Sequence, residues 1–201
     1  MNVSSVLFDG RAAALLLALL MAPQAGPPAQ AGPETFDVIA KASADGSGPG
    51  GAAGAITVPM TVQIDRYTPE HALTTMTDAL KHGGYPGFLL ALRDAPPAGS
   101  LTAGGQKFTI RWARQVTNEK GRRITLVTDT PVFFVGGARR GAKPTAGYEV
   151  SVTEFVFDRA GKGVGTMAAA ARVKPGGETG VRIDSYAEKP LALTVTVRPA
   201  P

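Results

Sequence analysis

The chain has 201 residues, no cysteine, 25 glycines, 16 prolines and a formal net charge of +5. Without cysteine it has no disulfide, no thiol nucleophile and no zinc–thiolate site, so burial and backbone hydrogen bonds must hold the fold. A moderate positive charge, one tryptophan and no nucleic-acid-binding module speak against nucleic acid as a partner.

In chain order the first feature is an apolar run over residues 12–22, preceded by Arg11. A Pro- and Gly-rich stretch follows and ends in the small-x-small triplet Ala29-Gln30-Ala31. This is the layout of a secretory signal peptide, expected to span residues 1–31. The run is too short to cross a bilayer, which takes roughly 20 apolar residues, so no transmembrane segment is expected in what remains. Cleavage after Ala31 leaves residues 32–201, expected to form a single β-rich domain. The weight of Ala, Gly, Pro and Arg fits a high-GC bacterial genome, and with the leader it places the expectation in the periplasm or outside the cell.

Residues 36–44 read as a first strand, and 45–54 form a loop too rich in glycine for a regular element. Residues 55–67 are the clearest strand: Ile56, Val58, Met60, Val62 and Ile64 alternate with polar residues. Pro59 marks an edge or a bulge there. The period then changes. Thr68-Pro69-Glu70 is a helix start, with a Thr cap, Pro at the first helical position and an acid in the first turn. Leu73, Met76 and Leu80 form its apolar stripe, and Gly83-Gly84 ends it. Residues 85–94 suggest a second, short helix.

The remainder is a succession of strands. Residues 106–117 place Phe108, Ile110 and Trp112 on one side, and a turn at 118–121 returns the chain as 122–130. Residues 148–158 pair with 164–174 across a glycine turn, and 181–186 and 191–198 complete the chain. The small side chains of residues 166–171 suit a floor beneath the helical segment. Long strands joined by hairpin turns give an α+β, mostly β fold. The expectation is an antiparallel, strongly curved sheet or partial barrel with a helical insertion at about residues 68–95. A two-sheet β-sandwich is the alternative.

No motif for catalysis stands out. Gly46-Ser47-Gly48-Pro49-Gly50-Gly51 satisfies G-x-G-x-x-G, but a strand follows it where a dinucleotide site needs a helix, so no cofactor is expected. His71 and His82 fall about 16 Å apart along the helix and do not share a metal. The loop at residues 135–147 is the most interesting surface feature. Arg139, Arg140 and Lys143 sit among glycines that let backbone N–H groups converge, which suits phosphate or carboxylate. Lys120, Arg122 and Arg123 form a second basic group in a hairpin turn.

Three segments carry a resemblance: Ile64-Asp65-Arg66-Tyr67-Thr68-Pro69, then Thr130-Pro131-Val132-Phe133-Phe134-Val135-Gly136-Gly137, then Lys143-Pro144-Thr145-Ala146-Gly147-Tyr148. In this order they resemble a group of uncharacterised secreted bacterial proteins. The resemblance implies one secreted domain and transfers no active site. The favoured expectation is a non-catalytic secreted or periplasmic module whose ligand is a small apolar molecule or an anionic envelope polymer. A hydrolase with a site assembled from scattered residues is the alternative, and a purely structural envelope protein is the third.

Overall fold

The computed structural model describes residues 32–44, 54–119, 121–132, 146–186 and 190–199. The first strand, β1 (Glu34–Ala44), pairs antiparallel with β2 (Gly54–Ile64) along its full length. The alternation of β2 produces the expected face: Val58, Met60, Val62 and Ile64 are all buried. Pro59 lies opposite Ile39 of β1, whereas β3 (Gly99–Ala103) covers β2 only from Met60 to Ile64. A residue without an N–H is tolerated where one side of the strand carries no ladder.

The chain continues as a meander. β3 pairs with β4 (Gln106–Asn118), β4 with β5 (Gly121–Thr128), β5 with β6 (Val150–Phe157), and β6 with β7 (Gly163–Pro175), all antiparallel. The other edge of β7 is shared. Its first part pairs with β9 (Leu191–Arg198), and its second part with β8 (Val181–Tyr186). Because β9 also pairs with β1, the sheet closes on itself. The result is an eight-stranded antiparallel barrel, with β8 outside the ring. The curved-sheet expectation is met by full closure, which removes every edge of the ring.

Inward-facing residues fill the barrel. Phe36, Met60, Leu101, Ile110, Phe155 and Met167 belong to one buried cluster. The interior is apolar and the outward positions are mainly polar, the inverse of a barrel that faces lipid. No helix among the described residues is long and apolar enough to cross a membrane.

The helix α1 (Glu70–Asp94) covers the outer face of β4–β7. It consists of two helical halves that meet at Gly84, whose φ of 61° and ψ of −162° suit only glycine. Leu73, Met76 and Leu80 from the first half and Phe88 and Leu92 from the second bury against Trp112, Val127, Val152, Ala168 and Ala171. The alanines of β7 are thus the floor under the helix, as their small volume suggested.

Two expectations are corrected here. Thr68 does not cap α1: Pro69 occupies the cap position, and no side chain caps the helix. The Thr68 hydroxyl instead accepts a hydrogen bond from the N–H of Ala113 at 2.9 Å, and the Thr68 N–H donates to the Ala113 carbonyl at 2.9 Å. β3 has ended at this level, so β4 takes Thr68 as its partner. The second correction concerns Trp112. The β4–β5 register shifts between Ile110 and Trp112, and this bulge at Arg111 inverts the alternation. Phe108, Ile110 and Ala113 point into the barrel, and Trp112 points outward, beneath the helix. Arg111 fixes the bulge, with Nε 2.8 Å from Asp129 Oδ2 and Nη1 donating to the Ala95 carbonyl at 2.6 Å.

Candidate functional site

Connections in a meander barrel alternate between two rims. One rim carries the β1–β2, β3–β4 and β5–β6 connections, whereas the turn of the β7–β8 hairpin lies against the outer wall, where the Thr179 carbonyl accepts from Arg114 and Glu178 lies 3.5 Å from Arg123. The other carries the start of β1, α1, the β4–β5 and β6–β7 turns, and the end of β9. Arg139, Arg140 and Lys143 lie outside the described residues, as do the glycines at 46–51 and Phe133 and Phe134. In sequence the first three fall between β5 and β6.

The β7–β8 hairpin is cationic. Lys174 Nζ lies 2.6 Å from Asp184 Oδ1. Arg182 stands directly across the ladder from Lys174, a like-charge pair. The Lys174 hydrogen bond, with the fields of Lys174, Arg172 and Arg182, holds the Asp184 carboxyl below the usual aspartate range despite the opposing effect of desolvation. One carboxylate therefore faces three cations.

Beside this patch, where α1 kinks, Tyr85 is buried. Its hydroxyl accepts from the Glu149 N–H at 2.9 Å and donates to the Ala171 carbonyl at 3.4 Å. The Arg172 guanidinium lies 5.9 Å from the ring centroid. Burial, more than any other influence, raises the Tyr85 pKa, which keeps the hydroxyl neutral and hydrogen-bonding. Glu149 Oε2 is buried and has no hydrogen-bond partner among the described residues.

At the opposite rim the basic group expected in a solvated turn is divided. Lys120 lies outside the described residues. Arg123 faces out, 3.8 Å from Glu154 and 3.5 Å from Glu178. Arg122 turns inward. Its Nη2 lies 2.6 Å from both carboxylate oxygens of Glu34 and 2.8 Å from the Tyr67 hydroxyl, which itself donates to Glu34 Oε1 at 2.8 Å. The guanidinium also sits 5.5 Å from the centroid of Phe157 and 5.9 Å from that of Phe36. Burial works against the Arg122 charge, but the Glu34 hydrogen bond and the fields of Tyr67 and Glu34 outweigh it and raise the pKa. Burial likewise raises the Tyr67 hydroxyl. This cluster is a polar plug, with its carboxylate fully engaged inside the molecule.

The histidines stay apart. His71 is exposed, and His82 Nδ1 is 2.9 Å from the Asp78 carbonyl oxygen. Between α1 and the β7–β8 turn lies an open-sided groove of about 140 Å³, lined by Glu70, Thr74, Thr77, Asp78, Lys81 and Arg114 among others. Its charges pair with each other: Lys81 with Asp78 at 3.2 Å and Arg114 with Glu70 at 3.5 Å. Among the described residues no three of His, Asp and Glu come together as a metal site would require.

No protein family matches the chain, and no curated protein or solved structure does either. The fold and these clusters are the whole basis for a functional reading.

Proposed function

We propose that this chain is a non-catalytic secreted or periplasmic module that engages an anionic envelope polymer through its basic β7–β8 hairpin and the basic segment between β5 and β6. The observation that carries the reading is the β7–β8 patch, where Asp184 sits in the fields of Arg172, Lys174 and Arg182. Residues 133–145, with Arg139, Arg140 and Lys143, lie in sequence between β5 and β6, and Val150 at the start of β6 pairs with Ala171, next to Arg172. Arginine and lysine in such numbers suit sulfate, phosphate and carboxylate groups. The interior, filled by Phe36, Phe155, Phe157 and their neighbours, lends no support to a small apolar ligand within the barrel.

The test is elution from a dextran sulfate column over a salt gradient. Contacts of this kind weaken as salt shortens the Debye length, about 10 Å at 0.1 M. A variant with Arg139, Arg140 and Lys143 all changed to Ala should elute at lower salt than the wild type, as should Arg172→Ala combined with Arg182→Ala. Equal retention of wild type and both variants would overturn the reading and leave these cations a solvated surface.

A further inference from the structure

The outer face of β6, β7, β9 and β1, beyond the part that α1 covers, carries a strip of exposed apolar side chains. Val156 of β6, Val164 of β7, Thr194 of β9 and Ile39 of β1 are successive partners across four strands, in one row. Val156, Val164 and Ile39 are 38%, 52% and 42% exposed. Contiguous exposed apolar residues on a water-facing barrel mark a contact surface. The adjoining row reads Glu154, Thr166, Ala192, Lys41 across the same four strands. It has an acid at one end, a base at the other and small uncharged residues between. Asp37, on the same side of the sheet, is already paired with Arg198.

We propose that this face binds a second copy of the chain. A two-fold axis lying in the surface, parallel to the strands and midway between β7 and β9, exchanges β6 with β1 and β7 with β9. It brings Glu154 of each copy over Lys41 of the other, so two ion pairs form. Val156 then meets Ile39, Val164 meets Thr194, and Thr166 meets Ala192. Both rows share this one axis, which a self-complementary interface requires. Within its own chain Lys41 has no acidic partner among the described residues, and Glu154 is held only loosely by Arg123 at 3.8 Å. Four strands span only about 15 Å across the strip, and the barrel is convex, so the dimer is expected to be weak and concentration-dependent. The rims stay free in this arrangement, and the inference does not depend on the polymer reading.

Sedimentation equilibrium of the full chain over micromolar to millimolar concentrations tests it. Lys41→Glu sets like charges against each other at both ends of the interface and should weaken the dimer about tenfold or more. Glu154→Lys should do the same. The double exchange, Lys41→Glu with Glu154→Lys, keeps the net charge and restores the complementarity, so the dimer should return. Mixing the two single variants should likewise give a dimer that neither forms alone. Val164→Lys supplies a variant at an open position in the middle of the strip and should also give a monomer. A wild-type chain that stays monomeric throughout would overturn the proposal. So would a dimer that ignores all three single changes, or an exchange variant that fails to dimerise while its thermal midpoint matches the wild type.

Discussion

Arg122 follows Gly121 at the start of β5, next to the turn that joins β4 to β5, where a basic residue is ordinarily left in water. It turns inward instead because Glu34 and Tyr67, distant in sequence, reach the same end of the barrel. Nothing in the local pattern around residues 118–123 carries that information, since both partners arrive only when the sheet closes. A half-buried pair of this kind stabilises less by existing than it destabilises when one partner is lost. Arg122→Met leaves the Glu34 carboxylate without its cation and is expected to cost about 2 kcal/mol, less than for a fully enclosed pair. Combining it with Glu34→Leu should recover most of that loss. Urea denaturation of the single and double variants measures the coupling; strictly additive costs would mean that the two side chains do not sustain each other.

At the scale of elements, periodicity and the two hairpin pairings 106–117 with 122–130 and 148–158 with 164–174 read well, and interruptions of the pattern read poorly. The alternation of β2 and the stripe of Leu73, Met76 and Leu80 are properties of consecutive residues, and both were legible. The bulge at Arg111 was not, because nothing in the Phe108–Trp112 alternation announces an inserted residue; the helix that needs a large side chain beneath it lies elsewhere in the chain. Thr68 misled for a related reason. Its type and position suit a cap, but β4 offers its hydroxyl a better-placed backbone partner. The anion-binding loop expected at Arg139, Arg140 and Lys143 falls outside the described residues, whereas the β7–β8 patch escaped notice because its three cations lie on two strands. The Gly83-Gly84 pair was legible as a break, and the structure separates the roles of the two residues. Gly83 has open space around it, while Gly84 holds a backbone conformation closed to other residues. Gly83→Ala should therefore raise stability by about 0.5–1 kcal/mol, as alanine does in an exposed helix. Gly84→Ala should lower it by about 2 kcal/mol. Shifts of the urea midpoint in the same direction for both would show that the kink is not where the strain lies.

For the whole molecule, one apolar interior runs through the barrel, and a second lies between its outer wall and α1. Val62, fully buried opposite Phe36 and Leu101, belongs to the first. Val62→Asp places a charge in that apolar interior and should cost about 4 kcal/mol, a large share of the 5–15 kcal/mol typical of a domain. A soluble variant with an unchanged thermal midpoint would show that the interior is wetter than its packing indicates. Closure depends on a single late event. β9 joins β7 to β1, pairing Thr35 with Arg198 across nearly the whole described chain, and every other strand precedes it in the sequence. A chain growing from its N-terminus is therefore an open sheet, with β1 and β7 presenting bare edges, until the last of these strands has been made. Through that interval it is exposed to neighbours making the same mistake, edge to edge. Its safe passage is a matter of timing, and any factor that shields those two edges during synthesis acts on the one moment when the ring is still a ribbon.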